Sequence, residues 1–559
     1  MNKKSMVLYT LAIVVAVGVL NVRSFSGYFA QDDFTLLHGV YDKGPLYFVK
    51  LFFTDCMREL WPGWRSVYEQ NGMGFVRPVL LIYVKLNYLL FGTNPLGYHL
   101  VNLSIHVVNA LLVFLIIQFV TGNRRFGFMA AMLFAVHPLQ PKVVVFISSC
   151  CGLLATSFYL ASFYFFIRYH ANGSKAHYLS SVACFFLGLF TKESLIVLPM
   201  HLVAYVLMQD YLQSAGPLKV FPWIKDRLLK KALAWAPYGA VVVFYFAMRK
   251  VATGNFLGGQ GGGFNVEHKL FSFLEYIRIA LFASAFDPIR HQLAYGVGPV
   301  WAKSTPGEVA IALFLFFALL VPVFFKGLKN IAHGRLFLFG VLWTGVSYVP
   351  ILALHSYMSP HILSPLIVGV IAMLIAVAFS LYREKIALVL LALLIAGYGL
   401  YQYKYSSEWT EGELIAKNIK ETVETAAANF KKGDAIILID VPMFHKTAMV
   451  FYGNIEYALQ RPSCATDLYN DFDVKLFTSA EVKSLAEASP NAAAGPLGLD
   501  GIKMILKDAP MLRPWQVDNL VKPPDFFKDH ADRQVYLFKW SARTTKLEEV
   551  SEGGMALLN

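Results

Sequence analysis

The sequence predicts a polytopic α-helical membrane protein with a soluble domain at its C-terminal end. Of its 559 residues, 57% are hydrophobic and 15% are charged, whereas soluble domains carry about 25% charged residues. Long apolar runs recur up to residue 403, and in lipid such runs form helices because a helix satisfies its own backbone hydrogen bonds. The 46 Phe, 29 Tyr and 9 Trp residues require burial. A disordered chain and a cytosolic enzyme are therefore both excluded.

Eleven apolar runs are candidates for membrane spans. The first follows Lys3 and Lys4 and lacks a small-residue cleavage site, so we interpret it as a retained signal anchor. A further segment, 270–286, carries Glu275 and Arg278 in its middle and is interpreted as an interfacial helix. The eleven candidate spans are residues 6–22, 98–120, 126–147, 152–167, 178–190, 195–208, 232–248, 309–325, 336–352, 363–381 and 386–403.

Basic residues indicate the orientation of these spans. If the N-terminus is cytoplasmic, all six loops on that side are basic, as the positive-inside rule expects. The net charge of +13 then needs no nucleic-acid partner. Two large loops, 23–97 and 249–306, lie on the opposite side together with the C-terminal region. The cations of the six loops are Lys3, Lys4, Arg124, Arg125, Arg168, Lys175, Lys225, Arg227, Lys230, Lys231, Lys326, Lys329, Arg335, Arg383 and Lys385.

After residue 403 the chain regains charged residues. The pattern at 411–430 is helical, and the patterns at 435–440 and 534–540 are typical of strands. A segment of about 150 residues is long enough for its own core. We therefore predict a membrane domain at 1–403 and an extramembrane α/β or α+β domain at 404–559, which we expect to position an acceptor and to carry no catalytic group.

The first large loop opens with two adjacent carboxylates, in the run YFAQDDF at 28–34. Adjacent side chains cannot both face one point, so Asp32 and Asp33 are expected to differ in role. In one interpretation, one is a base or a metal ligand and the other caps a helix that begins at Phe34. In the other interpretation, both only cap and solvate the loop, as Asp pairs in turns commonly do.

Three stretches resemble the TMTC-type O-mannosyltransferases. The run GFVRPVLLIYVKLNYLLFGTNPLGYHLVNLSIHVVNALLVFL at 74–115 is similar to the region that follows the first loop of that family. AAMLFAVHPLQPKVVVFISS at 130–149 is similar to the next family landmark, and TKES at 191–194 to the Lys-Glu that follows it. With the two aspartates, the resemblance runs in the same order along the chain. It implies the GT-C membrane glycosyltransferase fold, in which a sugar is taken from a polyprenyl-phosphate carrier outside the cytoplasm.

The resemblance also implies roles for individual residues. It makes Asp32 the general base that takes a proton from the acceptor, while Asp33 holds the geometry of the loop or an acceptor hydroxyl. Sugar transfer from a lipid phosphate needs cations to stabilise the departing phosphate. Arg77, in the matching Arg-Pro, and Lys192, in the matching Lys-Glu, are the expected phosphate-binding residues.

Other side chains are candidates for the site because we predict them on the same side of the membrane, opposite to the basic loops. His355 and His361 flank a short loop between two predicted spans and are assigned to phosphate binding. His99 begins a span and His137 precedes a proline. We assign these two, together with Glu193, to substrate binding or to the rim of the site.

The sequence also departs from the family pattern. Lys142 stands where the family has an acidic residue, Gln140 replaces a His, and 148–152 replaces an expected Arg and Asp. The tetratricopeptide repeats of the family are missing. Mannose and a particular protein acceptor are therefore not carried over. For Arg249 and Arg278 we favour an interpretation as interfacial anchors of their helices.

The sequence thus predicts a membrane glycosyltransferase that moves a sugar from a polyprenyl-phosphate-linked donor to a protein hydroxyl or to an envelope glycan or lipid. We expect it among the lipids of a bacterial inner membrane, with its catalytic face and C-terminal domain periplasmic, without a required cofactor. A divalent metal on His99, His106 and Asp32 is an open alternative, although hydrogen bonding between helices is favoured for the histidines. The alternative functions are a transporter or flippase of a lipid-linked glycan, for which no repeated halves are found, and a non-catalytic assembly protein.

Overall fold

The computed structural model describes residues 3–60, 74–214, 220–223, 225–226, 232–256, 333–352, 365, 367–442, 444–446, 448–451, 455–465, 467–479, 482 and 534–550. The chain divides into two compact units. The membrane unit comprises Met1–Ser26 and Asp42–Ser407, and the C-terminal unit comprises Gly27–Tyr41 and Glu408–Asn559. This division differs from the boundary that we predicted at residue 403. The segment Gly27–Tyr41 belongs with the C-terminal unit, although we had placed it in the first loop of the membrane domain.

The described part of the membrane unit is helical. Five helical segments are long and apolar enough to cross a membrane, namely Pro95–Thr121, Ile147–Asn172, Glu193–Gln213, Ala232–Thr253 and Glu384–Ala427, and shorter apolar helices lie at Met6–Leu20, Pro78–Phe91, Gly334–Val349 and Ile367–Leu381. The predicted span at 309–325 lies outside the described residues, so the total of eleven remains a prediction. The α-helical bounds of this unit are Lys3–Leu20, Pro45–Lys50, Cys56–Leu60, Pro78–Phe91, Pro95–Thr121, Arg124–Ala135, Gln140–Val144, Cys150–Asn172, Lys175–Leu189, Leu198–Gln213, Val220–Trp223, Ala232–Thr253, Gly334–Leu352, Ile367–Leu381 and Glu384–Ala427, with 3-10 turns at Val22–Ser26, Ile147–Ser149 and Glu193–Val197.

One predicted span is not a continuous helix. The prediction was a helix over 126–147, but the helix Arg124–Ala135 ends before His137, and the short helix Gln140–Val144 follows. Prolines at 138 and 141 explain the break, because proline cannot donate a backbone hydrogen bond and disfavours helical geometry in the residue before it.

Polar side chains join the helices of the membrane unit. The side-chain amide of Asn109 donates to the carbonyl of Leu153 at 3.1 Å, and the hydroxyl of Ser162 donates to the carbonyl of Ser181 at 2.7 Å. His106 Nε2 lies 3.0 Å from the carbonyl oxygen of Ala135. This contact agrees with the interpretation of His106 as a hydrogen-bonding residue between helices.

The helix Glu384–Ala427 continues from the membrane unit into the C-terminal unit, so the predicted boundary falls inside a helix. Its 44 residues span about 66 Å, roughly twice the 30 Å hydrocarbon core of a bilayer. The residues after 403 therefore extend beyond the apolar half of the helix. Their sequence is polar but contains good helix formers, which explains why the composition changes while the helix does not end.

The C-terminal unit contains a four-stranded sheet. Strands β1 (Ala435–Ile439), β4 (Asp473–Phe477), β5 (Val535–Ser541) and β6 (Lys546–Glu549) lie in the order β4-β1-β5-β6. The central strand β1 is parallel to both β4 and β5, and β6 is antiparallel to β5. Each residue of β1 is buried, as expected for a strand covered on both faces.

The remaining described elements of this unit are short. Strands β2 (Phe444–His445) and β3 (Ala448–Met449) form an antiparallel pair. Three helices, Asp32–Val40, Ile455–Ala458 and Leu468–Asp471, complete the set. The helix Asp32–Val40 comes from the N-terminal segment of the unit and contacts the helix Ile455–Ala458. The unit is therefore assembled from two segments that are far apart in the sequence.

Candidate functional site

The two adjacent aspartates have different surroundings in the C-terminal unit. Both belong to the first turn of the helix Asp32–Val40, which therefore begins two residues before the predicted start at Phe34. Asp32 is half-buried, whereas Asp33 is only 1% exposed. The Asp33 carboxylate accepts the backbone N–H of Ala30 at 3.0 Å. Asp33 thus reaches back to fix the entry into the helix, and Asp32 keeps access to the surface.

The turn before this helix is held by the rest of the C-terminal unit. Gln31, the residue before the helix, has a left-handed backbone with φ of 46°, and its N–H donates to the carbonyl of Val450 at 2.9 Å. The Phe34 ring stacks on Phe451 with 5.9 Å between ring centroids. His38 Nδ1 lies 2.8 Å from the carbonyl oxygen of Arg461. These contacts come from three successive parts of the segment, so the aspartates occupy a defined position within this unit.

Sequence reasoning missed a third carboxyl group near the aspartates. Glu413 lies on the helix Glu384–Ala427, beyond its apolar half, and is 0% exposed. Burial, followed by the negative charge of Asp33, raises the pKa of Glu413 well above its usual range. The sequence spacing could have indicated this burial, because Glu413 lies on the same face of the helix as Trp409 and Ala416, which are both buried.

In the membrane unit, Arg77 and Glu193 form a bidentate ion pair. Arg77 precedes the helix Pro78–Phe91, and Glu193 opens a 3-10 turn. Arg77 Nε donates to Glu193 Oε2 at 2.9 Å, and Arg77 Nη2 donates to Glu193 Oε1 at 2.6 Å. The resemblance had pointed to both residues, and the structure brings them together. The charge of Arg77 is thus partly compensated by a protein carboxylate.

Two buried lysines lie close to this ion pair. Lys192 and Lys142 are 4% and 7% exposed, and Lys192 interacts electrostatically with Arg77, Glu193 and Lys142. Lys192 lies in the turn after the helix Lys175–Leu189. Burial lowers the pKa of Lys192 to about 8. Lys142, which we had noted as a departure from the family pattern, therefore adds positive charge to the predicted phosphate site.

A fourth cation, Arg249, corrects our interpretation of that residue as an interfacial anchor. Arg249 is 3% exposed, whereas a snorkelling arginine would extend its guanidinium into water. Its charge faces Asp55 and Tyr245, and Tyr245 in turn faces Glu193 and Arg77. Within the described part of the chain, Arg249 Nη2 has no hydrogen-bond partner.

We refer to Arg77, Lys142, Lys192 and Arg249 as the cation cluster. Among the described residues, the Glu193 carboxylate pairs with Arg77, and the Asp55 carboxylate faces Arg249 as well as Arg58. Buried charges are costly unless they are paired. Four basic side chains gathered in one part of the membrane unit are suited to binding an anion, because each of them would attract it.

The predicted histidines do not form a metal centre within the described residues. His99 is completely buried, and His137 is 1% exposed. His137 Nδ1 accepts the backbone N–H of Leu139 at 3.2 Å, so His137 shapes the turn that follows its helix. In the part of the chain that the structure describes, no three His, Cys, Asp or Glu side chains are grouped to hold a metal ion. His355, His361 and Arg278 lie outside the described residues.

The comparisons with known families match the membrane unit. Residues 77–247 match the family model described as dolichyl-phosphate-mannose-protein mannosyltransferase. The protein O-mannosyl-transferase Tmtc1 of Drosophila melanogaster is 32% identical over 128 residues, which are 23% of this chain and 15% of that protein. Human TMTC1 is 30% identical over 167 residues, 30% of this chain and 18% of that protein. The chain thus aligns with less than a fifth of the length of these relatives.

The resemblance that the sequence predicted is confirmed over residues 77–247, which include Arg77, Lys142 and Lys192 of the cation cluster. Among solved structures, ArnT from Cupriavidus metallidurans bound to undecaprenyl phosphate is similar, at 13% identity and a TM-score of 0.42. That similarity covers 88% of this chain and 89% of the other.

Proposed function

We propose that this protein is an integral-membrane glycosyltransferase that moves a sugar from a polyprenyl-phosphate-linked donor to an extracytoplasmic acceptor. The observation that carries the proposal is the cation cluster, in which four basic side chains are gathered in the membrane unit. Three of its members lie in the stretch that matches the mannosyltransferase family, and the fourth, Arg249, follows that stretch by two residues. Ionisable side chains within a membrane protein are costly and are commonly kept for function.

The charge of the cluster suits the chemistry of such a donor. A sugar linked to a polyprenyl phosphate is a phosphodiester with one negative charge, and the polyprenyl phosphate released after transfer gains a second. Cations that are fixed before the reaction stabilise this developing charge more than they stabilise the donor itself, and that difference accelerates the reaction. A lipid-phosphate donor can therefore be handled by basic residues without a metal ion. This is our proposal for the cofactor requirement.

We assign Asp32 as the general base. In the proposed reaction, the bond between the anomeric carbon and the phosphate oxygen breaks while a bond from that carbon to the acceptor oxygen forms. The electron pair of the broken bond leaves with the phosphate, and the proton of the acceptor hydroxyl passes to Asp32. The half-buried position of Asp32 supports this assignment because the acceptor must reach the base, whereas Asp33 is covered and already accepts the Ala30 amide.

For the acceptor we propose a protein hydroxyl, or an envelope glycan or lipid. The relatives are described as protein O-mannosyl-transferases, which favours the protein hydroxyl. The basic loops of the sequence favour an N-terminus in the cytoplasm. We therefore propose a bacterial inner membrane with the reaction and the C-terminal unit on the periplasmic side.

The test is comparative mass spectrometry of envelope proteins and lipids from cells with the gene, without it, and complemented with the wild type or with Asp32→Asn. We expect a modification of fixed mass to disappear with the gene and to return with the wild type but not with Asp32→Asn. An unchanged set of envelope glycans would contradict the proposal. Accumulation of a complete glycan on its lipid carrier, without loss of any transfer step, would instead indicate a transporter.

A further inference from the structure

Asp55 joins two segments of the membrane unit through hydrogen bonds to the backbone. Its carboxylate oxygen Oδ1 accepts the N–H of Met57 at 2.9 Å and the N–H of Phe75 at 3.0 Å. The N–H of the neighbouring Cys56 donates to the carbonyl of Phe75 at 2.8 Å. The side chains of Asp55 and Cys56 are both buried. We refer to the contacts of Asp55 and Cys56 with residues 74–77 as the loop clasp.

The loop clasp ends at Arg77, a member of the cation cluster. The backbone N–H of Arg77 donates to Cys56 Sγ at 3.3 Å. The central carbon of the Arg77 guanidinium lies 3.9 Å from the centre of the Phe75 ring, which is a cation–π contact. The same guanidinium donates two hydrogen bonds to Glu193. The loop clasp therefore holds the backbone of Arg77 and one face of its guanidinium, while Glu193 orients the edge of that group.

Gly74 fits closely into the loop clasp. A Cβ atom at this position would lie 2.6 Å from Asp55 Oδ2 and 2.8 Å from Thr253 Cγ2, so a larger residue would displace one of them. Thr253 lies one helical turn after Arg249, and its hydroxyl donates to the Arg249 carbonyl at 2.9 Å. Gly74 thus packs between Asp55 and the end of the helix Ala232–Thr253, which carries another member of the cation cluster.

The carboxylate of Asp55 has two separable properties. Its oxygen Oδ1 is the acceptor for the amides of Met57 and Phe75, and an amide that loses its acceptor away from water is costly. Its negative charge faces Arg58, whose Nε lies 4.0 Å from Oδ2. Asparagine would keep an oxygen for the two amides and lose the charge, whereas alanine would lose both.

We infer that Asp55 is a positioning residue for the proposed reaction, which fixes the backbone of Arg77 through the loop clasp and thereby orients its guanidinium toward the donor phosphate. The inference rests on the proposed function, in which the cation cluster binds that phosphate. A cation that is already fixed binds more tightly, because no free energy is spent on ordering it. Asp55 acts through Cys56 and Phe75 and does not touch the phosphate, which its own charge would repel.

The first experiment measures whether the loop clasp is closed. Asp55→Asn, Asp55→Ala and the control Asp42→Ala are compared with the wild type as full-length proteins in nanodiscs; Asp42 is exposed and pairs with Lys43. Alkylation of the Cys56 thiol by a maleimide is followed by mass spectrometry of its peptide. Asp55→Ala should raise the rate about ten-fold, because the lost hydrogen bonds favour local opening. Asp55→Asn should remain within a few-fold of the wild type, and Asp42→Ala should equal it.

The second experiment measures binding of polyprenyl phosphate on the same preparations. We expect Asp55→Ala to weaken binding about ten-fold, in proportion to the opening of the loop clasp, and Asp55→Asn to restore most of it. A loss of stability alone would not change the affinity of the folded protein.

A pair of glycine variants tests the same inference without altering Asp55. Gly74→Ala should weaken binding as Asp55→Ala does, whereas Gly44→Ala should not, because a Cβ atom at residue 44 would meet nothing within 4 Å. This pair decides the question if Asp55→Ala does not fold.

Wild-type affinity in variants whose Cys56 has become reactive would overturn the inference. Equal losses in Asp55→Asn and Asp55→Ala would also overturn it, because the charge and not the loop clasp would then be responsible. Absence of polyprenyl phosphate binding by the wild type would refute the proposed function instead, while the alkylation of Cys56 would still report on the loop clasp.

Discussion

The cation cluster of the membrane unit and the carboxyl groups of the C-terminal unit differ in their electrostatic surroundings. In the cluster, Arg77 is paired with Glu193 and Arg249 faces Asp55. In the C-terminal unit, burial and the charge of Asp33 raise the pKa of Glu413. Basic side chains gathered in one place attract an anion, whereas buried carboxyl groups near each other favour the protonated form. Under the proposed function, the cluster would act on the donor phosphate and Asp32 on the acceptor.

The largest effect is expected from removing the charge of Asp32. Asparagine is almost the same size as aspartate and still forms hydrogen bonds, but it cannot accept a proton at neutral pH. Asp32→Asn should reduce turnover by about a hundred-fold or more while donor binding and folding stay close to those of the wild type. The measurement is single-turnover transfer from a polyprenyl-phosphate-linked sugar in nanodiscs. Asp33→Asn is the matched variant and should act mainly through stability. Full turnover by Asp32→Asn would remove the catalytic assignment.

A smaller effect is expected when one cation is removed from the cluster. Arg249 is buried, while its neighbour Lys250 is exposed and donates to the carbonyl of Gly254. If the cation cluster binds the lipid phosphate, Arg249→Met should weaken binding of polyprenyl phosphate about ten-fold, as expected for one charge-assisted contact. Lys250→Met should leave it unchanged. Equal losses in the two variants would mean that total charge, and not the cluster, determines binding.

The smallest effect concerns pH. Burial lowers the pKa of Lys192 to about 8, so the protonated cation that binds a phosphate is fully present below that pH and is lost as the pH rises through it. Affinity for polyprenyl phosphate should therefore fall by a few-fold between neutral and alkaline pH. Lys192→Arg keeps its charge throughout this range and should flatten the curve. A curve with the same slope in the wild type and the variant would assign the pH dependence to another group.

Local patterns predicted much of this fold. The strand patterns at 435–440 and 534–540 correspond within one residue to β1 and β5, because alternation and short apolar runs are local signals. The pairing of Arg77 with Glu193 was accessible only because both residues lie in motifs that resemble a known family. The break after Ala135 could have been predicted from the two prolines that follow it. The apolar composition on either side of them led us to predict one continuous helix instead.

Long-range assembly could not be predicted in the same way. Nothing in the run at 28–34 indicates that it packs with residues more than 350 positions later, because no periodicity encodes a contact at that separation. Glu413 was missed for a related reason. Its helix was predicted, but the surroundings of Glu413 include the charge of Asp33, which comes from the other end of the chain. Lys142 was noted in the sequence because it stands where the family has an acidic residue. Its electrostatic interaction with Lys192 became known only from the structure.

The division of the C-terminal unit between Gly27–Tyr41 and the residues from Glu408 onward also determines when this unit can fold during biosynthesis. Roughly 370 residues separate the two parts, and at about 5–20 residues per second the ribosome needs about 20–70 s to deliver the second part after the first. During that interval the segment that bears Asp32 has no partner to fold against. Asp32, which we propose as the base, therefore reaches its final environment only after the intervening helices have been made, and a chain released early from the ribosome would carry the cation cluster without a complete C-terminal unit.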